Sequence, residues 1–506
     1  MQRRPTTLGQ LRESGWRSRS VKQELRDNLI ARLRSKTPIF PGVIGYEDTV
    51  IPQVANAILA GHDFILLGLR GQAKTRILRG MTELLDAEMP AVEGSEIRDD
   101  PLNPAEERTR RMLEKMGDDL PIVWVPRSER YREKLATPDV TIADLIGDVD
   151  PIKAATRKLT LADPEVVHYG ILPRANRGIF AINELPDLAA RIQVGLLNIL
   201  EEGDVQIRGF PVRLPLDVQL VFSANPEDYT NRGRIITPLR DRISSQILTH
   251  YPRTLEDALA ITTQEAWLER GAAVRVDVPE WLRHAVEEVA FRARASELVD
   301  QNSGVSARMT ISLLEVVVSN AERRALRAGR TQITARPGDL HASIPAITGK
   351  LELVYEGERE GPQKVATGLV ARALQTVFQK RFPDAYRDGE AGEAGGAFKP
   401  VLRHFSGGRT VDLSDDLADD ELHARLADVP GLEDVATKHL GARSPGEIAA
   451  GMELVLEGLA ASSLLAREQT ATGRAFKDMF EEMVKGLKKP NEKPGDGPRR
   501  PNKGNK

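Results

Sequence analysis

Three short, mostly apolar runs mark the first half of the chain, and segments of mixed polarity separate them. The runs cover residues 64–67, 178–182 and 219–223, and helical patterns lie at 51–60 and 189–202. A continuous apolar run of about four to eight residues is typical of a strand buried on both faces of a parallel sheet. Strands that alternate with helices predict an α/β fold, here with a doubly wound parallel sheet.

Two further features belong to this half of the chain. The segment 86–120 is polar and rich in Asp, Glu and Pro, so we interpret it as an insertion, followed by a short strand at 122–125. Residues 205–207 and 212–214 flank a turn at 208–211, and this pattern predicts a hairpin. The α/β core is therefore expected to carry a hairpin insert.

After about Pro252 the hydrophobic pattern becomes almost wholly helical, as in 255–269, 280–296 and 310–328. This predicts a helical lid followed by an additional all-α C-terminal region. We divide the chain into five segments: a charged helical N-terminal extension (1–38), an α/β core with hairpin inserts (39–250), the helical lid (251–350), a helical C-terminal domain (351–475) with a glycine-rich linker (387–398), and a basic disordered tail (476–506).

Composition narrows the function classes. A chain of 506 residues exceeds what one core usually serves. The formal net charge of −3 gives no electrostatic case for a dedicated nucleic-acid binder. The chain has no cysteine, which excludes disulfides, thiolate catalysis and cysteine zinc sites and fits a reducing, cytoplasmic setting. No run of about twenty apolar residues is present, so no membrane span is expected, and no apolar segment follows the basic N-terminus as in a signal peptide.

The first apolar run leads into a glycine-bearing turn that ends in Lys74-Thr75. In this pattern, Gly-x-x-Gly-x-Ala-Lys-Thr, backbone N–H groups of the turn and the positive end of the following helix face a phosphate group. Lys74 would neutralise the outer phosphates of ATP, and Thr75 would coordinate Mg²⁺. Ala73 stands where the last glycine of such a motif is usual, and alanine is the least intrusive replacement. The predicted phosphate-binding residues are Gly68, Leu69, Arg70, Gly71, Gln72, Ala73, Lys74, Thr75 and Arg76.

The second apolar run ends in Asn183-Glu184. In ATPases with a phosphate loop, the first polar residue of this strand holds the magnesium shell, and the glutamate after it polarises the attacking water. Glu184 is therefore the candidate general base. Asn183 stands where aspartate is expected, so it can accept a hydrogen bond from a magnesium-bound water but brings no negative charge to the cation. A site that binds nucleotide and hydrolyses it poorly is thus an open alternative.

Further polar positions extend the candidate site. Asn225 follows the third apolar run, and a strand that lies between the other two would put its amide near the γ-phosphate and the attacking water. Arg240 and Arg242 are both candidates for an arginine finger that reaches the γ-phosphate in a neighbouring subunit. Arg308 precedes a long helical pattern and would cover the nucleotide from the lid.

The order of these elements resembles that of the AAA+ ATPases. Within that class, residues 38–350 resemble the magnesium-chelatase I-subunit family and its MoxR relatives, and the phosphate loop with Ala-Lys-Thr is similar to theirs. Four other segments are also similar to this group, at 99–104, 145–150, 170–179 and 196–203.

The resemblance implies an ATPase that binds ATP with Mg²⁺ and forms a homo-oligomeric ring, usually a hexamer, with nucleotide at the subunit interfaces. The I subunit of this family is a motor that remodels a partner, often one with a von Willebrand A domain, and it does not itself insert magnesium into a porphyrin. The roles carried over by position are phosphate and magnesium contact for Lys74 and Thr75, the metal shell for Asn183, the base for Glu184, the first sensor for Asn225, the finger for Arg242 or Arg240, and the second sensor for Arg308.

Three function hypotheses follow. The first is a ring motor that hydrolyses ATP to remodel a partner protein. The second is a nucleotide-gated scaffold with negligible turnover, suggested by Asn183. The third is a DNA-acting AAA+ regulator, to which the basic clusters at 323–330 and 488–506 would contribute. The chain has neither the Gly-Ala-Phe-Thr-Gly-Ala loop of transcription activators nor a terminal pair of DNA-binding helices, so nucleic acid is not the expected partner.

Overall fold

The chain forms two compact units. A computed structural model describes residues 4–150, 152, 155–156, 166–207, 213–226, 233–271, 273–385 and 396–479. The first unit comprises residues 1–261 and 301–307, and the second comprises 262–300 and 308–506. The five-segment division made from the sequence is finer than this and stays a prediction. Most of the predicted glycine-rich linker, and the predicted tail from residue 480 onward, lie outside the described residues.

The first unit alternates strands with helices. Its strands are β1 (Phe64–Leu67), β2 (Glu88–Val92), β3 (Ile122–Pro126), β4 (Tyr131–Leu135), β5 (Gly147–Val149), β6 (Val167–Tyr169), β7 (Gly178–Asn183), β8 (Asp204–Gln206), β9 (Arg213–Pro215), β10 (Val218–Ala224) and β11 (Ser245–Leu248). The α-helices that begin in it are α1 (Leu8–Glu13), α2 (Val21–Ser35), α3 (Val50–Leu59), α4 (Lys74–Gly80), α5 (Glu107–Met116), α6 (Ile142–Leu145), α7 (Ala190–Val194), α8 (Leu197–Glu201), α9 (Thr237–Arg242) and α10 (Leu255–Glu265).

A five-stranded parallel sheet is the centre of this unit in the part of the chain that the structure describes. Its order is β11-β1-β10-β7-β4, and every neighbouring pair is parallel. Leu67 lies opposite Ala224, and Phe222 lies opposite Ile182, so β1, β10 and β7 end at one edge of the sheet. The predicted α/β class is confirmed. The third apolar run, β10, lies between the other two, β1 and β7, as expected.

Both edge strands of this sheet were absent from the sequence prediction, because neither contains a continuous apolar run. Strand β4 reads Tyr-Arg-Glu-Lys-Leu and β11 reads Ser-Gln-Ile-Leu. A strand with one neighbour can carry polar side chains over much of its length, so its alternation is weak. The predicted strand after the insertion exists as β3, but it pairs antiparallel with β2 and not with the main sheet.

The predicted helix at 189–202 is divided, and the predicted hairpin is present. Helix α7 ends at Val194 and α8 begins at Leu197. Strands β8 and β9 pair antiparallel with Val205 opposite Leu214, while most of the turn between them lies outside the described residues.

The N-terminal segment is fastened to the sheet unit by a buried ion pair. Arg130 is 1% exposed, and its two terminal nitrogens donate to the Glu24 carboxylate of α2 at 2.7 and 2.6 Å. Arg130 also donates to the carbonyl of Arg177 at 2.9 and 2.8 Å. Since every nitrogen of the guanidinium has an acceptor, the desolvation of the charge is offset.

The second unit is mostly helical. Its helices are α11 (Glu280–Arg294), α12 (Arg308–Arg327), α13 (Pro337–Ala342), α14 (Ile344–Thr348), α15 (Tyr355–Glu360), α16 (Pro362–Arg381), α17 (Lys399–Phe405), α18 (Asp419–Ala427), α19 (Leu432–Leu440) and α20 (Pro445–Ala461). Its strands are β12 (Arg275–Asp277), β13 (Gln332–Thr334), β14 (Val411–Ser414), β15 (Leu465–Gln469) and β16 (Gly473–Asp478). No helix in the described part of the chain has the length and apolar character that a membrane crossing requires.

One detail of the sequence prediction is wrong here. The C-terminal region contains helices as expected, but it is not all-α, because β14, β16 and β15 form an antiparallel sheet in that order. Strands β15 and β16 are short hairpin partners in which charged and apolar residues mix, so they carry no long apolar run. Gly473 lies where an added Cβ would be 2.0 Å from the carbonyl oxygen of Leu413, which fixes the close approach of β14.

Glu287 in α11 predicts a pH-dependent stability of the second unit. It is 3% exposed, and burial raises its pKa to about 7, although the Thr262 hydroxyl and Arg294 oppose the shift. The folded state therefore holds a proton that the unfolded state releases above its ordinary pKa. Stability from this group is complete below about pH 4.5 and is lost as the pH rises to about 7.

We expect Glu287→Gln to raise the free energy of unfolding at pH 8 by up to about 3 kcal/mol and to change it little at pH 4.5. The measurement is thermal and denaturant unfolding of the full chain at both pH values. Glu297→Gln, at an exposed position beyond the end of the same helix, is the matched control and should be neutral at both. An equal effect of Glu287→Gln at the two pH values would contradict the linkage.

Candidate nucleotide site

The glycine-bearing turn joins β1 to α4, and its backbone geometry depends on residues of positive φ. Gly71 has φ 73°, and Ala73 has φ 55° with ψ 14°. The second of these values explains why glycine is usual at position 73, since a left-handed conformation costs a residue with a Cβ about 1 kcal/mol. The chain thus accepts a small local strain at the residue before Lys74.

Two glycines of the turn leave no room for a side chain. A Cβ at Gly68 would lie 1.9 Å from the Thr249 hydroxyl oxygen, and one at Gly71 would lie 2.0 Å from the Ser306 hydroxyl oxygen. Such approaches are far inside van der Waals contact. The turn is therefore packed closely against the segments that surround it in the first unit.

Hydroxyl groups from distant positions hold the turn in place. Tyr46 donates to the carbonyls of Gln72 at 3.0 Å and His250 at 2.7 Å. Thr249 donates to the Gln72 side-chain oxygen at 2.7 Å, and Tyr251 donates to the Arg70 carbonyl at 3.0 Å. Burial raises the pKa of Tyr46 to about 12, so its hydroxyl stays a donor at neutral pH. These positioning residues are remote in sequence, and no local pattern indicated them.

Lys74, Asn225 and Glu184 form a hydrogen-bonded chain across the carboxyl edge of the sheet. Lys74 is 7% exposed, and its ammonium donates to the Asn225 Oδ1 at 2.7 Å. The Asn225 amide then donates to the Glu184 Oε2 at 3.1 Å. The ammonium also contacts the carbonyls of Gly68 and, at 3.0 Å, Leu69. The fold thus brings together three candidate residues that follow three different apolar runs in the sequence.

Glu184 itself has a strained backbone. Its φ of 55° and ψ of 48° lie in the left-handed region, which is uncommon for a residue other than glycine, asparagine or aspartate. Non-glycine residues held in this region cluster at functional sites, because surrounding structure must enforce them. The neighbouring Asn183 accepts a hydrogen bond from the Ser223 hydroxyl at 3.0 Å through its side-chain oxygen.

The other predicted residues of the loop differ in exposure, and their contact with a nucleotide stays a prediction. Thr75 is half-buried in the first turn of α4, while Arg70 and Arg76 are exposed. The Arg70 guanidinium donates to the Ser303 carbonyl at 3.3–3.4 Å. The turn therefore presents backbone groups and one buried ammonium, with flanking guanidinium groups.

The two finger candidates differ in what they contact. Arg242 is held by Glu201, with Nε 2.8 Å from the carboxylate, and also donates to the Pro238 carbonyl at 3.0 Å. Arg240 is exposed, and its side chain has no hydrogen bond or ion pair to any residue that the structure describes. Arg308 is the first residue of α12 in the second unit, where it is exposed; its role as second sensor stays a prediction.

Sequence comparison relates the chain to known proteins. The profile of the sigma-54 interaction domain matches residues 160–248, which include Glu184, Asn225 and Arg242. The magnesium-chelatase 38 kDa subunit of Cereibacter sphaeroides is 29% identical over 234 residues, or 44% of this chain and 62% of that subunit. The same subunit of Rhodobacter capsulatus is 26% identical over 230 residues, or 44% of this chain and 60% of that subunit. Over less than half of its length, the chain is similar to the magnesium-chelatase 38 kDa subunit.

The chain spans about three fifths of the length of the curated relatives it matches, 62% and 60% in the two cases. A shorter stretch is 33% identical to the hydrogenase transcriptional regulatory protein HoxA of Cupriavidus necator over 87 residues, or 17% of this chain and 18% of HoxA. A solved complex of subunits BchI and BchD of magnesium chelatase matches at 22% identity and a TM-score of 0.34, over 63% of this chain and 98% of that chain. A TM-score this low adds no argument about function.

Proposed function

We propose that this chain is an AAA+ ATPase, which binds ATP with Mg²⁺ at the turn of residues 68–76 and hydrolyses it to drive the remodelling of a partner protein. The observation that carries the proposal is the hydrogen-bonded chain from Lys74 through Asn225 to Glu184. It supports one site that combines a phosphate-neutralising cation, a polar amide and a carboxylate. Those are the groups that phosphoryl transfer to water requires.

The phosphate end of the proposed site is residues 68–76. The triphosphate would lie against the backbone N–H groups of the turn, and the Lys74 ammonium would exchange its carbonyl partners for the outer phosphate oxygens. The Thr75 hydroxyl and the side-chain oxygen of Asn183 would hold Mg²⁺, because a hard cation prefers oxygen ligands. When bound, the ion neutralises charge that develops on the transferred phosphoryl group.

The water end of the proposed site is Glu184 with Asn225. The Glu184 carboxylate would accept a proton from the attacking water, because it is the basic group next to the predicted γ-phosphate position. The Asn225 amide already donates to that carboxylate at 3.1 Å, so it orients the base. On binding of nucleotide, the amide would divide its two donors between Glu184 and a γ-phosphate oxygen.

We further propose a homo-oligomeric ring, a hexamer by the family resemblance, in which an arginine reaches the nucleotide of the next subunit. The exposure of Arg240 supports it as the finger, and the bond between Arg242 and Glu201 supports a positioning role for Arg242. The partner with a von Willebrand A domain, the MoxR relationship and the cytoplasmic setting rest on the resemblance and the composition alone.

Subunit mixing tests the ring and its finger together. We expect Arg240→Ala to lower the ATPase rate by about 10³–10⁵-fold without loss of ATP binding, and Arg242→Ala to lower it less. Mixing Arg240→Ala subunits, which keep the base, with Glu184→Gln subunits, which keep the finger, should restore turnover at mixed interfaces. A mixture no more active than its two components would contradict a finger that acts between subunits.

A second candidate function is a nucleotide-gated scaffold with slow hydrolysis. The specific observation in its favour is that Asn183 is uncharged and already uses its side-chain oxygen for the Ser223 hydroxyl at 3.0 Å. A neutral amide holds Mg²⁺ less well than a carboxylate. If this candidate is right, Asn183→Asp will raise the phosphate-release rate about tenfold or more without changing ATP-dependent assembly. An unchanged or lower rate in Asn183→Asp would favour the motor as proposed.

A further inference from the structure

A basic pocket of about 400 Å³ lies beside the edge strand β4. We call it the β4 pocket and define it by Arg132 and Lys134 of β4, His168 of β6, and Arg174. Residues two apart on a strand point to the same face, so the side chains of Arg132 and Lys134 both line the pocket. The volume is within the range of small-molecule sites.

Positive charge in the β4 pocket is only partly balanced. The side chains of Arg132 and Lys134 form no hydrogen bond or close ion pair with any residue in the described ranges. The carboxylate that lines the pocket, Asp144, is engaged by the backbone N–H and hydroxyl of Thr141 at 2.9 and 2.8 Å, as the cap of α6. Arg174 pairs with Glu96 at 3.1 Å. Asp144 is thus the one carboxylate among the lining residues, beside three basic side chains, Arg132, Lys134 and Arg174.

Unused donors occur on Arg174, which lines the pocket, and on Arg98, which does not line it but interacts electrostatically with Arg132. Among the described residues, the Nη1 of Arg98 and the Nε of Arg174 are closed to bulk water and have no acceptor. Arg98 is 9% exposed, and its nearest carboxylate, on Glu129, is 3.8 Å away. Burial and the neighbouring charge of Arg132 lower the pKa of Arg98 to about 10. Like charges therefore crowd at this corner, and an anion would relieve their repulsion.

We propose that the β4 pocket binds a small phosphate-bearing anion of at least two negative charges, a diphosphate group in its simplest form. Guanidinium groups bind phosphate oxygens in pairs with well-defined geometry, and a lysine adds a point charge. The aromatic residue in the lining, Tyr169, is 7% exposed and donates its hydroxyl to Glu106 at 3.1 Å. Tyr169 therefore offers no open ring face for stacking, and the proposed recognition is of the phosphate group.

The β4 pocket is distinct from the proposed ATP site. Strand β1, which leads into the phosphate loop, is separated from β4 by β10 and β7 in the sheet order. Three strand spacings correspond to about 14 Å, so one triphosphate on the loop does not also fill the pocket. The inference does not depend on ATP hydrolysis, and it would stand if the nucleotide site were inactive.

Calorimetric titration with inorganic pyrophosphate, without added magnesium, tests the inference. The full-length chain carries Lys74→Ala, so that the phosphate loop contributes little. We expect saturable binding, weakened about tenfold or more when Arg132→Gln and Lys134→Gln are added. The matched control removes two positive charges elsewhere in the same unit, with Arg34→Gln and Arg111→Gln at exposed positions, and should leave the affinity within about twofold.

Further measurements distinguish a loss of binding from a loss of folding, and compare pyrophosphate with other phosphate-bearing ligands. Circular dichroism and thermal midpoints establish that each variant is folded, and Arg132→Lys, which keeps the charge and loses the fork, should lie between the wild type and Arg132→Gln. Three results would overturn the inference: no pyrophosphate binding in the Lys74→Ala chain, equal weakening in the matched control, or an affinity for a phosphopeptide or an oligonucleotide that exceeds the pyrophosphate affinity by more than about tenfold.

Discussion

Glu184→Gln is expected to lower the steady-state ATPase rate by about 10²–10⁴-fold, the usual contribution of a general base. Glutamine has nearly the same shape as glutamate and can still accept the hydrogen bond that the Asn225 amide now gives to Glu184, but it cannot take a proton from water at neutral pH. ATP affinity should therefore be unchanged. The measurement is phosphate release at saturating ATP beside a nucleotide-binding titration of the same preparation.

The matched control for this prediction is Glu202→Gln, an exposed glutamate after α8, which should hydrolyse ATP at the wild-type rate. Two results would count against Glu184 as the base. One is a Glu184→Gln rate within about threefold of the wild type, far from the loss that a general base implies. The other is an equal loss in Glu184→Gln and in Lys74→Ala with ATP binding abolished in both, which would assign Glu184 to binding.

Arg324→Met is expected to reduce the free energy of unfolding of the second unit by about 3–5 kcal/mol, the usual result of removing one partner of a buried ion pair. Arg324 and Asp339 are both 0% exposed, and the guanidinium donates to the two carboxylate oxygens at 3.0 and 2.9 Å. It also donates to the carbonyls of Thr334 and Leu417 at 2.9 and 2.8 Å. The substitution would remove the charged partner of a buried carboxylate, which keeps the Asn320 amide and the Arg336 backbone N–H as donors, and would take this donor from two carbonyls.

The adjacent Arg323 supplies the control. It pairs with Asp416 at 3.2 Å, and both side chains are 47% exposed, so Arg323→Met should cost no more than about 1 kcal/mol. Both variants are compared by urea unfolding of the full chain, monitored by circular dichroism. If the two substitutions lower the free energy of unfolding equally, the buried ion pair does not stabilise the second unit more than the exposed pair does.

The meeting of Lys74, Asn225 and Glu184 was predictable because these polar residues follow apolar runs. Strands β1, β7 and β10 are fully buried for most of their length, so each stands out as a continuous run. The polar residue that ends such a run is easily recognised. Because parallel strands end at one edge, Lys74, Asn225 and Glu184 could be expected to meet there.

Other parts of the fold give no comparable signal in the sequence. The hydroxyl of Tyr46 reaches the loop at Gln72 and the carbonyl of His250, and no local pattern relates positions so far apart. Strand β4 is polar because it is an edge strand, and its cations contribute to a pocket that only the tertiary structure assembles. The sheet of β14 to β16 was missed because hairpin strands this short are easily overlooked among amphipathic helices.

Two departures from the usual motif gain a physical meaning from the structure. Ala73 takes a left-handed conformation that glycine would adopt without strain, so the loop keeps its shape at a small local cost. Asn183 forms a hydrogen bond with Ser223 and brings no charge to the predicted magnesium position. The first departure is compatible with nucleotide binding, and the second bears on the rate of hydrolysis. Binding and turnover are therefore best measured separately.

The most direct test of the central claim is a calorimetric titration of the full-length chain with ATP and Mg²⁺, beside the Lys74→Ala variant. The account predicts saturable binding by the wild type, weakened about tenfold to a hundredfold by the loss of the charged hydrogen bonds of Lys74. Absence of binding heat from the wild type, or equal affinity of the two proteins, would contradict a triphosphate held by residues 68–76.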